Sequence, residues 1–265
     1  MSAGREGTAP RVTIGLLTGT LRVWRRDMES WRKYYRSSLV GALGEPILSL
    51  LAIGYGLGKF VDLGGVSYAE FLAPGILASA AMNAASFEAT FGSFTRMTEQ
   101  KTYDAILATP IGIRELVAGD VLWAASKSVL SGVAVLVVAT GAGLVHSAWA
   151  LVLPVVALLI GVVFGAMGLL VASRAKAYDF FTYYFTLVIT VMYLFAGVFF
   201  PIESLPAWAR VIAWGMPLTH AVTIVRACMA GRVGPVLFVH AGVLVVMLAL
   251  AYAMAVRWVG RRLIA

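Results

Sequence analysis

From Ser128 to Ser173 the chain runs for 46 residues without an Asp, Glu, Lys or Arg. Crossing a hydrocarbon core takes about 20 helical residues, so this stretch holds two crossings. Gly141, Gly143, His146 and Pro154 fall near its middle and mark a tight turn between them. A soluble fold has no surface on which to place such a run. The fold class that follows is all-α and membrane-integral.

The rest of the sequence agrees with that constraint. Sixty per cent of the residues are hydrophobic and 13% are charged, against about 25% charged in an ordinary soluble domain. Further apolar stretches near 38–60, 70–94, 180–200 and 235–258 join those at 116–143 and 148–173, which predicts six transmembrane helices. The first apolar run begins near Ser38, behind a basic segment, and is too long for a signal-peptide core, so export as a soluble product is not expected. Cys228 is the single cysteine, which rules out an internal disulfide framework or a cysteine-based zinc site.

Charge placement sets the orientation. Arg5, Arg11, Arg22, Arg25, Arg26, Arg32, Lys33 and Arg36 precede the first span. Arg96, Lys101 and Arg114 follow the second, Arg174 and Lys176 the fourth, and Arg257, Arg261 and Arg262 close the tail. These sixteen lie on one side; Lys59, Arg210, Arg226 and Arg232 make four on the other, and Lys127 falls inside a span. Positive charge gathers on the cytoplasmic side of membrane proteins, so both ends are expected there. A net charge of +8 distributed in this way does not describe a nucleic-acid-binding face.

Two segments outside the spans carry patterns of their own. Leu17, Leu21, Trp24, Met28, Trp31 and Tyr35 recur at helical spacing beside Arg22, Arg25, Arg26, Lys33 and Arg36. That is a helix for the membrane interface, with packing on a neighbouring subunit as the alternative. It divides the chain into a tail and amphipathic helix over 1–37 and a transmembrane domain over 38–265. Between spans five and six, residues 201–234 are too polar to cross. Pro206 to Gly215 and Pro217 to Gly231 read as two short outer helices that dip into the membrane.

The chemistry-bearing residues are few. No phosphate-binding loop occurs, since neither Lys101-Thr102 nor Lys127-Ser128 follows a glycine-rich turn, and H-E-x-x-H and G-x-S-x-G are absent. No catalytic or metal site is therefore expected. His146, His220 and His240 are far apart and read as packed or interfacial residues. Charges inside spans cost roughly 2.5–3.5 kcal/mol each and need a partner or a wet cavity. Glu45 and Glu88 each lie about 10 Å of helix rise from the cytoplasmic ends of their spans, and Lys127 can reach that depth on its long stem. The three form an expected intramembrane cluster, with Lys127 pairing a carboxylate. The rival use is proton coupling in a secondary transporter, through Glu45, Glu88 or Asp120. In aromatic-rich span five, Tyr193 and Phe195 lie deep enough to line a substrate path.

Four blocks carry a resemblance: EPILSLLAIGYGLG (45–58), YAEFLAPGILASAAM (68–82), FEATFGSFTRMTEQKTYDAILATPI (87–111) and LFAGVFFPIESLPAWARVIAWGMPLTHAVTIVRACMAG (194–231). They resemble NodJ-type permeases of the ABC-2 class, over about residues 20–260. The resemblance implies a homodimer forming a central path and a separate ABC ATPase subunit that holds the ATP and Mg. It also implies export of an amphipathic cargo such as a glycolipid, lipo-oligosaccharide or drug. The segment from Thr95 to Glu115 would then dock on the ATPase, with Met97, Tyr103, Ile106 and Leu107 as apolar anchors. Thr98 is expected to cap a short helix in it, running through Gln100 and Asp104.

Overall fold

The structure is a computed structural model and describes residues 15–58, 60 and 65–264. Arg5, Arg11 and Lys59 of the charge argument lie outside the described residues, as does most of the tail before the first helix. Every regular element among the described residues is helical. In chain order they are α1 (Leu16–Trp31), α2 (Tyr35–Gly56), α3 (Tyr68–Phe87), α4 (Ser93–Thr98), α5 (Thr102–Leu107) and α6 (Ile113–Gly141). There follow α7 (Leu153–Arg174), α8 (Asp179–Tyr184), α9 (Thr190–Phe195), α10 (Ala207–Trp214), α11 (Pro217–Ala230) and α12 (Val236–Ile264).

Local chemistry sets many of these boundaries. Ser67 caps α3, its hydroxyl accepting from the Glu70 N–H at 3.2 Å. Pro217 opens α11 and Gly231 ends it at φ +73°, a conformation that costs glycine little. The short helices α10 and α11 occupy the stretches bracketed by Pro206, Gly215, Pro217 and Gly231, and they meet at a bend of 83°. Gly143, at φ +72°, turns the chain after α6, and Pro154 sits in the first turn of α7. Arg262 donates to the carbonyls of Ala172, Ser173 and Ala175 at 2.9, 3.2 and 2.6 Å, placing a cation on the negative end of α7.

Among the described residues, three helices are long and apolar enough to cross a bilayer on length and composition alone: Ile113–Gly141, Ala148–Arg174 and Val236–Ile264. The stretches expected as spans one, two and five are helical but weaker on that measure, and for two of them the reason is visible. Along α3 nearly every residue from Leu72 to Met82 is buried against other helices, so this helix needs no strongly apolar surface. The fifth stretch is an apolar helix only from Asp179 to Phe195, shorter than the about 20 residues a crossing takes.

The core is α3, α6 and α7 packed on one another, with α11 and α12 against them. Small residues bring the backbones close, as membrane helix interfaces require. A Cβ at Gly161 of α7 would meet the Ala125 Cα of α6 at 2.5 Å. Ser128 Oγ donates across the same seam to the Ala157 carbonyl at 2.8 Å.

Two expected boundaries are corrected. The amphipathic helix ends at Trp31, and Tyr35 begins α2 instead of completing its stripe. Helix α1 packs on α6 of its own chain. Trp24 Nε1 donates to Ser126 Oγ at 2.9 Å, the Trp31 and Trp123 rings meet edge-on at 6.0 Å, and Val23 and Thr20 fill the space a Cβ on Gly119 would need. Leu17 and Leu21 stay exposed.

Candidate cavity and the charge network beside it

Helices α2, α3, α6 and the α8–α9 stretch border a partly open cavity of about 830 Å³. Glu45, Glu88 and Lys127 line it, together with Ser49, Ser79, Asn83, Ser131, Thr190 and Tyr193. The walls between these polar groups are apolar, with Phe87, Phe185, Ile76 and Leu130 prominent. Ser79 and Ser131 hold buried hydroxyls with no hydrogen-bond partner among the described residues. Two π-helical turns, Glu88–Gly92 and Phe185–Ile189, border the space from opposite elements. An extra residue per turn re-aims the side chains that follow and is frequent where a helix serves a site.

The three charges expected inside spans thus line one cavity, and Arg96 joins them from beside it. Glu88 Oε1 accepts from Arg96 Nη1 at 2.8 Å. The Lys127 ammonium lies over the rings of Trp31 and Trp123, 4.6 and 5.1 Å from their centroids. Of the two residues expected on a substrate path, Tyr193 lines the cavity. Phe195 does not: it packs with Ile202, Leu205, Ala209 and Ala213 beneath α10.

Arg96 is the centre of a network that the sequence did not show. It had the look of a loop charge, yet the helical run from Tyr68 continues through the π turn to Thr98 and carries it inward. Arg96 Nη2 donates to Asp120 Oδ1 at 2.8 Å, and its Nε stands 3.9 Å from Asp27 Oδ1 of α1. Asp120 also accepts from Ser93 Oγ, and from Tyr103 Oη at 2.5 Å. Arg26 donates to Asp27 as well. Four separate elements thus meet at one guanidinium. Burial works against the charge on Arg96, but Asp120, Glu88 and Asp27 outweigh it and hold its pKa well above the ordinary value. Burial, then the Asp120 carboxylate, raises the Tyr103 phenol well above its usual range, so it remains a donor. Burial pushes the Asp27 carboxyl up to about 6, against the pull of Arg96. Its Oδ2 has no hydrogen-bond partner among the described residues.

The segment expected to dock on a partner is folded differently from its forecast. Thr98 does not cap a helix; it is the last residue of α4 and donates its hydroxyl to the Phe94 carbonyl at 2.7 Å. The chain turns at Lys101, in the left-handed region at φ 52°, and α5 begins at Thr102. Met97 and Tyr103 are buried inside the chain with Val23 of α1 and Leu116 of α6, and Ile106 and Leu107 are half-buried against that cluster. Asp104, Ala105, Ala108, Thr109 and Pro110 form its exposed face.

The far end of the bundle holds a second pairing missed in the sequence. His220 Nδ1 and His240 Nδ1 are 2.8 Å apart, and His220 Nε2 is 3.0 Å from the Trp214 carbonyl. His146 Nε2 lies 3.0 Å from Glu70.

The ABC-2 type transporter family model matches residues 20–230. Nodulation protein J of Rhizobium leguminosarum bv. trifolii is 38% identical over 250 residues, covering 92% of this chain and 94% of that protein. Nodulation protein J of Bradyrhizobium diazoefficiens is 38% identical over 246 residues, covering 91% and 93%. The inner membrane transport permease YadH of Escherichia coli is 24% identical over 237 residues, covering 87% and 90%. With a bundle of apolar helices around a charge-lined cavity and a family match over most of its length, this chain is a membrane protein of the ABC-2 type transporter family.

Proposed function

We propose that the chain is the membrane-spanning permease subunit of an exporter powered by a separate ABC ATPase. The observation that carries this reading is the cavity itself. It is large, bordered by apolar walls, and supplied with two carboxylates, an ammonium and unpartnered hydroxyls, which suits a cargo with a polar head and an apolar body. Glycolipids, lipo-oligosaccharides and amphipathic drugs share that build.

In this reading the chain crosses the bacterial inner membrane six times from residue 38 onward. Both ends are cytoplasmic, α1 lies at the inner interface, and α10 and α11 dip in from the outer side. Two copies form the path. The ATPase docks below on the exposed face of the Thr95–Glu115 segment, and its closure on ATP drives the spans between inward- and outward-open forms.

The test is to purify the tagged chain in mild detergent from its native host and identify what accompanies it. An ABC ATPase in equal amount, and export that survives a protonophore but stops without ATP, is the expected result. Export that collapses with the proton gradient and no associated ATPase would replace this reading with a proton-coupled carrier.

A further inference from the structure

We propose that Arg96 is the positioning residue through which movement of α5 reaches the cavity wall, with Tyr103 and Asp120 on its input side and Glu88 on its output side. The proposal rests on the exporter reading above. It rests equally on a continuous set of charge-assisted contacts. The phenol of Tyr103, on the second residue of α5, donates to Asp120 Oδ2 at 2.5 Å. Asp120 Oδ1 accepts from Arg96 Nη2 at 2.8 Å, and the other terminal nitrogen, Nη1, donates to Glu88 Oε1 at 2.8 Å. Glu88 is at once the first residue of a π turn and part of the cavity lining.

The chemistry of the guanidinium gives this path a fixed geometry. Its plane holds two carboxylates at a fixed separation, which a lysine could not do. Asp120 is almost fully buried and receives Tyr103, Ser93 and Arg96 together, so it cannot follow α5 without changing its hold on Arg96. Any such change alters the bond on which Glu88 depends. The π turn that begins at Glu88 is the element of the path set to change, since such single turns inside α-helices are rare and frequent at functional sites. Reverting it would rotate Glu88 relative to Arg96 and redirect a carboxylate inside the cavity. Packing alone accounts for the Tyr103 ring, which sits in the apolar cluster with Val23, Met97 and Leu116, but not for its hydroxyl or for Asp120, Arg96 and Glu88.

The experiment uses the complex as purified from the native host. Cys228, the single cysteine, is replaced by Ala, and cavity-lining Ala84 is replaced by Cys and labelled with bimane. The variants are Tyr103→Phe, which removes one hydroxyl and keeps the ring, and Asp120→Asn, which keeps the shape. Bimane emission is followed on adding Mg-ATP, alongside ATPase co-purification and ATP hydrolysis. The relay predicts an emission change in the parent that falls by about five- to tenfold in both variants, the size of a typical coupling between sites. ATPase binding and hydrolysis should persist. Variants that retain the ATPase and give the parent's full emission change would overturn the relay and leave the exporter reading standing. No ATPase band with the parent would overturn the exporter reading and the relay together.

Discussion

His240 Nδ1 donates its proton to His220 Nδ1 across 2.8 Å, and the direction of that bond is fixed by a third residue. The Trp214 carbonyl can only accept, so His220 must place its hydrogen on Nε2 to meet it at 3.0 Å. His220 Nδ1 is then the acceptor, and the hydrogen between the rings belongs to His240. Both rings are buried, and the His240 ring also stacks on Trp214, 5.8 Å between centroids. The pair ties α11 to α12 at the end of the bundle remote from Arg96.

Replacing His240 by Ala leaves the His220 acceptor buried and unsatisfied. The expected loss is about 1–3 kcal/mol. It should appear as a lower unfolding temperature in detergent, whereas exchanging the exposed Arg232, in the connection between α11 and α12, should change little. Equal stability of His240→Ala and the parent would show that the pair holds nothing.

Asp27 gives a pH dependence whose sign can be worked out. Its carboxyl titrates near 6 in the fold, above its ordinary 3.8, so folding favours the protonated form. The stabilisation this provides is complete below about 3.8 and is lost as pH rises through about 6. Between pH 5 and 7 the parent should therefore lose stability relative to Asp27→Asn, which cannot ionise. Melting curves that run parallel for the two across that window would contradict the burial assigned to Asp27.

The helix seams are the next test. A Cβ on Gly161 meets the Ala125 Cα at 2.5 Å and the Ser128 Cβ at 2.6 Å, neither of which can move without shifting α6. Gly161→Val should cost on the order of 1–3 kcal/mol by overpacking. Gly242 of α12 has nothing within 4 Å of the same position, so Gly242→Ala should be neutral or gain a few tenths of a kcal/mol. The measurement is the fraction of each variant that stays monodisperse on heating.

What the sequence disclosed and what it withheld divide along one physical line. Boundaries set by a residue's own backbone were legible, as at Pro217, Gly231 and Gly143. The presence of Glu45, Glu88 and Lys127 around a shared space was legible too, because charge in an apolar helix demands company. Pairings between distant helices were not. Arg96 reads as one of many basic loop residues until a π turn and four further residues of helix place it against Asp120, 24 positions on. His220 and His240 are 20 apart and look unrelated until α11 folds back on α12. Between Thr95 and Glu115, apolar spacing picked out Tyr103 and Met97 but could not say which side of α5 faced inward.

That last distinction decides how the docking surface should be tested. Tyr103 is 1% exposed and packs with Met97, Val23 and Leu116, so Tyr103→Ala opens a void in the chain's own core. Truncation of a buried aromatic costs about 3–5 kcal/mol, and the variant should be poorly recovered from membranes whether or not a partner binds. The informative positions are the exposed ones. Ala105 of α5 and Ala108, the residue that ends it, lie three apart on the exposed side of the segment, with Asp104 beside them. Ala105→Glu combined with Ala108→Glu adds charge to that face without touching the core. The expected outcome is normal yield and an unchanged melting temperature, with the associated ATPase lost on purification. Retention of the ATPase by this double variant would move the docking surface away from α5.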